Sequence, residues 1–133
     1  MKKEQVDQMS LTEAVNYALG KIIEQGKPCR NPDNGYCAYS DGNGNHCVVG
    51  WLLDHENEEL MKWDGGVSSL SETYKERLPK LIIDNVELFY HLQGLHDYDS
   101  LAKVDFDIDV IKNCVDINEE LLNKWLAIKE RNW

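Results

Sequence analysis

A capped, amphipathic segment near the start of the chain constrains the fold most. Ser10 is followed three residues later by Glu13, the capping-box spacing in which each side chain accepts a hydrogen bond from a free backbone amide of the first helical turn. The apolar residues that follow share one stripe of a helix, because they recur every three or four positions: Leu11, Ala14, Val15, Ala18, Leu19, Ile22 and Ile23. Gly26 is suited to end the helix in a left-handed conformation. We therefore expect a mostly helical fold.

Two later segments repeat this helical pattern. Between Leu81 and Leu95 the apolar residues again fall three and four positions apart, as on one buried helical face. Asn118 is a suitable cap for a last helix, which has acidic residues in its first turn and basic residues in its last turn. Both segments predict helices that contribute to the core.

Weaker signals surround these segments. Ser69 or Ser71 predicts the cap of a short helix that ends at Pro79. The segment "DYDSLAKVDFDID" is acidic and turn-like, with a short helical turn or bend expected around Leu101, and 110–115 predicts another helical stretch.

The segment between Gly26 and Trp63 contains turn-forming residues in place of a helical pattern over much of its length. "KPCRNPDNGY" predicts a loop, and "DGNGN" supplies the Asp-Gly and Asn-Gly pairs of tight hairpin turns between Tyr36 and the run "HCVV". We therefore expect a short antiparallel β-hairpin. Beyond it, "VVGWLLDHENEELMKW" predicts a buried helix from Cys47 or Val48, with a continuing strand as the alternative. The expected fold class is α+β, mostly α: a single helical domain over residues 1–133 with a small antiparallel β-hairpin.

Charge and hydropathy restrict the partners and the compartment. The 24 acidic and 14 basic side chains give a formal net charge of −10, which disfavours direct binding of nucleic acid and favours a partner with a basic surface. No apolar run approaches the roughly 18 residues that a bilayer span requires, so we expect no membrane interaction. We expect a cytoplasmic protein whose four cysteines remain thiols.

One combination of residues suggests catalysis. A thiol at Cys47 would lie at a helix start, where backbone amides and the helix dipole lower a cysteine pKa. His96 beside Asp97 or Asp99 could supply the base of a cysteine-dependent hydrolase or transferase. The competing interpretation is structural, because Cys47 opens the apolar run "CVVGWLL" and free cysteines in such runs are commonly small buried hydrophobes.

Metal and cofactor binding have weaker support. Cys29, Cys37 and Cys47 with His46 could supply four zinc ligands, but the cysteines are eight and ten positions apart, whereas structural zinc sites favour ligands two to four apart. The glycines of "DGNGN" lack the Lys-Ser/Thr of a phosphate loop. We expect no cofactor and no resident metal.

Two groups of residues are candidates for binding. Tyr39 and Trp51, together with Tyr36, could form the floor of a pocket that sequesters a small-molecule ligand. The acidic run "DHENEE" could be a contact face for a basic partner. Its four carboxylates are Asp54, Glu56, Glu58 and Glu59. Acidic runs of this kind are also common as solvated loops and helix starts.

The segment "CAYSDGNGNHCVVGWLL", which reads C-x-Y-x4-G-x2-C-x2-G-x-L, and the later "LQGLHD" resemble a scattered group of short proteins from bacteriophages, prophages and bacteria. The resemblance covers Cys37 to Leu53 and Leu92 to Asp97, and it assigns no catalytic residues. It implies an accessory protein that acts on a host component, including inhibitors of bacterial defence proteins. We therefore expect a non-enzymatic binding protein, with the cysteine-dependent enzyme as the alternative.

Overall fold

A computed structural model of the chain describes residues 1–97 and 101–133, except for the side chains of 101–103 and 132. The described residues form eight α-helices and two short 3₁₀ turns, at Gly50–Leu52 and Lys75–Arg77. The helices are α1 (Lys3–Asp7), α2 (Leu11–Gln25), α3 (Glu58–Met61), α4 (Val67–Thr73), α5 (Lys80–Ile83), α6 (Val86–Asp97), α7 (Leu101–Cys114) and α8 (Glu119–Asn132).

The two best-capped helices were predicted correctly. The side chain of Ser10 accepts a hydrogen bond from the amide of Glu13, the Glu13 carboxylate accepts one from the amide of Ser10, and α2 ends at Gly26 with a φ of 74°. The side chain of Asn118 likewise caps α8 by accepting a bond from the amide of Leu121. These two helices pack against each other.

The central helix is α6, which packs most extensively on α7 and also contacts α4 and α5. Its sequence was expected to belong to a single helix over 81–95, but the structure divides this segment into α5 and α6. Three polar side chains of α6 are buried, His91, Gln93 and His96, and each has a hydrogen-bond partner. Buried polar groups need such partners. These side chains therefore fix the positions of the groups that bond to them, including the amides of Cys29 and Val49.

The prediction of a β-hairpin was wrong. The described part of the chain is all-helical, without a β-strand or sheet, and shows one isolated antiparallel bridge between Arg30 and Cys37. The "DGNGN" turn does form, with positive φ at Gly42 and Gly44, and the carboxylate of Asp41 accepts backbone hydrogen bonds across it. The turn signal was therefore correct, but the residues on either side do not pair as strands.

Three helix predictions also need correction. The buried helix expected from Cys47 or Val48 is a 3₁₀ turn at Gly50–Leu52 followed by the short α3. The helix expected to be capped by Ser69 or Ser71 starts earlier, as α4, with Gly66 preceding it. The acidic segment expected to be turn-like is helical from Leu101, although 98–100 lie outside the described residues. None of the helices in the described ranges is long and apolar enough to cross a membrane.

Candidate functional site

The irregular segment 27–57 is positioned by side chains of α2 and α6 and not by strand pairing. Its backbone amides donate hydrogen bonds to three of these side chains: Cys29 to His96 Nε2 (2.9 Å), His46 to Gln25 Oε1 (2.9 Å) and Val49 to Gln93 Oε1 (3.1 Å). A buried amide without a partner costs free energy, so each bond replaces one that a strand would have supplied. The segment thereby brings its cysteines against the C-terminal half of α6.

Cys47 is fully buried. Its Sγ accepts a hydrogen bond from the amide of Gly50 at 3.2 Å, at the start of the 3₁₀ turn. Burial, reinforced by the nearby charge of Asp97, raises the pKa of the Cys47 thiol well above its ordinary value. A nucleophilic cysteine requires the opposite shift and access to substrate. These contacts give Cys47 the environment of a core residue.

His96 is also fully buried, and both of its ring nitrogens are engaged. Nε2 accepts the amide hydrogen of Cys29, so the ring carries its proton on Nδ1 and donates it to Asp97 Oδ1 at 2.7 Å. Gln93 donates a second bond to the same carboxylate oxygen, at 2.9 Å. The ring therefore has no lone pair available to accept a proton from a thiol. The hydrogen bond from the amide of Cys29 to His96 therefore attaches the start of the irregular segment to α6.

The four residues of the suggested zinc set do not converge. Cys29 is buried and its thiol donates to the carbonyl of Asn45, and burial raises the pKa of Cys29 to about 12. His46 instead donates from Nδ1 to the carbonyl of Tyr39 at 2.9 Å and stacks on His55. The imidazole of His46 is thus bonded to Tyr39 and stacked on His55, and it does not join the cysteines as a zinc ligand would.

A different set of ligand types comes together. Cys37 Sγ, a ring nitrogen of His96 and a carboxylate oxygen of Asp97 lie within 4.8 Å of one another. A neutral histidine binds a cation through one nitrogen while the other keeps its proton. If Nδ1 of His96 bound the cation, the ring proton would have to move to Nε2, and if Nε2 bound it, the lone pair of Nε2 would be used. In both cases the nitrogen concerned is the one to which the amide of Cys29 already donates. A cation would therefore have to break the Cys29 bond, and the described geometry favours a structural role for the trio.

The three aromatic residues suggested for a ligand pocket differ in burial and contacts. Tyr39 is buried, and Trp51 packs edge-on against His46 and His55 and donates from Nε1 to Gln25. Tyr36 is 74% exposed and lines a hollow of about 300 Å³ with Cys37 and Trp63, among others. Tyr39 and Trp51 therefore act as packing groups in the structure.

The four carboxylates of the acidic run 54–59 are paired with three basic side chains. Lys2 contacts both Asp54 (3.1 Å) and Glu56 (2.7 Å). The other two pairs join Glu58 to Lys62 and Glu59 to Arg77. Each carboxylate suggested as a contact for a basic partner thus already has a basic neighbour, and the run is a weaker interface than its sequence indicates.

Sequence reasoning missed an aromatic surface on α6 and α7. Tyr90 and Phe106 are 40% and 58% exposed, and both rings contact the imidazole of His91 edge-on. His91 bonds through Nδ1 to Asp107 Oδ1 at 2.7 Å. A signal did exist in the sequence: Val104, Ile108, Ile111 and Val115 repeat at helical spacing, which leaves Phe106 off the apolar face.

In comparisons of sequence and of structure, the chain matches no family model, no curated protein and no solved structure.

Proposed function

We propose that this chain is a small accessory binding protein that docks on a host protein with a basic surface. The observation that carries the proposal is the formal net charge of −10 on a chain of 133 residues. Such a charge steers basic partners toward the protein and repels nucleic acid. The host context comes from the resemblance to phage and prophage proteins.

The distribution of ion pairs supports a surface that attracts cations. Six basic side chains are held by carboxylates within the chain: Lys2, Lys21, Lys62, Arg77, Lys112 and Lys124. Other exposed carboxylates, among them Glu87, Asp105 and Asp109, have no ion pair with any basic side chain that the structure describes. Their charge remains available to an approaching partner.

The contacts of Cys47 and His96 do not favour the enzymatic alternative. A cysteine hydrolase needs an accessible thiol whose proton a neighbouring base accepts. Cys47 is buried with a raised pKa, and the two nitrogens of His96 bond to Cys29 and Asp97. Binding is therefore the function that this geometry supports best.

The experiment is affinity capture from a bacterial lysate at two salt concentrations, with mass spectrometry of the retained proteins. We expect a basic protein to be retained near 0.1 M salt and released near 1 M, because the screening length falls from about 10 Å to about 3 Å. An unrelated acidic protein of similar isoelectric point, immobilised at the same density, is the control for simple ion exchange. The proposal is wrong if every protein captured by the chain is captured equally by this control.

A further inference from the structure

Two exposed aromatic rings and three exposed carboxylates lie on the helices α6 and α7, which pack against each other. We call this group the aromatic–acidic patch and define it by Glu87, Tyr90, Asp105, Phe106 and Asp109, all of which are exposed. Large apolar side chains in a monomer are commonly buried, so two exposed rings that contact the same histidine are a mark of a binding surface. The other large hydrophobic side chain that is mostly exposed in the described residues, Tyr36, lies elsewhere, beside Cys37 and Trp63.

The rings of Tyr90 and Phe106 both contact the ring of His91. The ring centroid of His91 lies 5.3 Å from that of Tyr90 and 5.6 Å from that of Phe106, with both pairs edge-on. His91 is itself fixed by its 2.7 Å bond to Asp107, whose exposed fraction is 1%. Because this support is buried, the rings are already oriented before a partner arrives, and ordering them costs little affinity.

Each ring has a carboxylate within one turn of its own helix. Glu87 lies one helical turn before Tyr90, and the two line a hollow of about 460 Å³ together with Ser68, Val86 and His91. Asp109 follows Phe106 by one turn of α7, and Asp105 precedes it. Carboxylates close to exposed rings attract a cationic side chain, and the face of an aromatic ring adds a cation–π contact once the cation is in place.

We infer that the aromatic–acidic patch is the docking surface for a lysine- or arginine-rich segment of the partner protein. Within it, a cationic side chain lies over Tyr90 or Phe106 and is neutralised by Glu87 or Asp109. A second copy of this chain fits the patch poorly, because a two-fold contact would bring the same carboxylates against each other. The inference rests on the proposed function and names the surface that would perform it.

The experiment measures binding of a short fluorescein-labelled arginine-rich peptide to the full chain by anisotropy at low salt. The comparison peptide has glutamate in place of arginine. The test variant combines Tyr90→Ala with Phe106→Ala, and the matched control is Tyr36→Ala, which removes an exposed ring outside the patch. A second variant, Glu87→Gln with Asp109→Asn, keeps the rings and their packing against His91.

We expect the patch variants to weaken binding of the arginine-rich peptide about tenfold each, because each removes cation–π or charge contacts of moderate strength. The Tyr36→Ala variant should bind as the unaltered chain does. If the peptide binds all variants equally, the patch is not the docking surface, although the proposed function remains. If the unaltered chain binds both peptides equally or neither, the inference fails, and the proposed function is decided separately by the capture experiment from lysate.

Discussion

Replacing Gly50 with alanine tests how closely the irregular segment is packed. A Cβ atom at this position would lie 2.7 Å from the carbonyl oxygen of Tyr39, 3.2 Å from Cys47 Sγ and 3.3 Å from His46 Cβ. The closest of these atoms belongs to the backbone, so the collision cannot be relieved by a side-chain rotation. The same carbonyl accepts the bond from His46 Nδ1, so moving it away also disturbs a buried hydrogen bond.

The expected cost of Gly50→Ala follows from these two effects. Forcing an extra carbon into a packed site costs about 1–3 kcal/mol, and disturbing a buried hydrogen bond costs about 1–3 kcal/mol. Because one movement of the chain causes both, the two do not simply add. We expect the free energy of unfolding to fall by about 2–4 kcal/mol.

A glycine in the same chain provides the matched control. Gly20 lies inside α2, and a Cβ atom there would meet nothing within 4 Å. Alanine favours a helix interior over glycine by about 0.5–1 kcal/mol, so Gly20→Ala should stabilise the protein. Urea unfolding followed by tryptophan fluorescence and far-ultraviolet circular dichroism measures both changes. The packing argument is refuted if Gly50→Ala is as stable as the unaltered chain or if the two substitutions shift stability in the same direction.

Three further predictions concern titration, thiol access and capping. Burial lowers the pKa of His46, and it lowers the pKa of His55 to about 4. Below about pH 6.5 the unfolded state therefore binds protons more readily than the folded state, so the stability present above that pH is lost as the pH falls toward 4. For His55 the loss is at most about 3 kcal/mol and about 1–2 kcal/mol after solvent screening, and His55→Phe should reduce it in urea titrations at the two pH values; an unchanged loss contradicts the assignment. Iodoacetamide should label exposed Cys114 in the native protein but label buried Cys47 only after unfolding, as mass spectrometry of timed samples will show, and early labelling of Cys47 would disprove its burial. Ser10→Ala should cost about 1 kcal/mol of unfolding free energy by removing the cap of α2, and an unchanged urea midpoint would show that the cap contributes nothing.

Helices with local cap signals were predictable, because the relevant hydrogen bonds join residues three positions apart. Ser10 with Glu13 and Asn118 with Leu121 are such pairs, and α2 and α8 begin where these residues indicate. α7 was harder to predict, because its buried face includes Asp107, a carboxylate in the middle of an apolar pattern. Only the position of His91 in the folded chain explains why that acidic residue points inward.

The β-hairpin prediction failed for a physical reason that the sequence does not display. The glycines of "DGNGN" specify a turn, but strands also require that the flanking amides pair with each other. Here the amides of His46 and Val49, which follow the turn, bond to side chains of α2 and α6 that lie 21 and 44 residues away in sequence. No pattern of neighbouring residues in the sequence indicates hydrogen-bond acceptors that are so far away. The catalytic hypothesis for Cys47 and His96 depended on the same unknown, because the bond from Cys29 determines what His96 can do.

The clamping of segment 27–57 by Gln25, Gln93 and His96 has a consequence for the order in which the protein assembles. The segment contains little regular structure of its own, and its amides bond to Gln25 of α2, which directly precedes it, and to Gln93 and His96 of α6, which lie 44 and 67 residues from the amides that bond to them. Closing such long loops is slow unless other contacts have already formed. During refolding, the amides of Cys29 and Val49 should therefore gain protection from hydrogen–deuterium exchange only after α2 and α6 have come together.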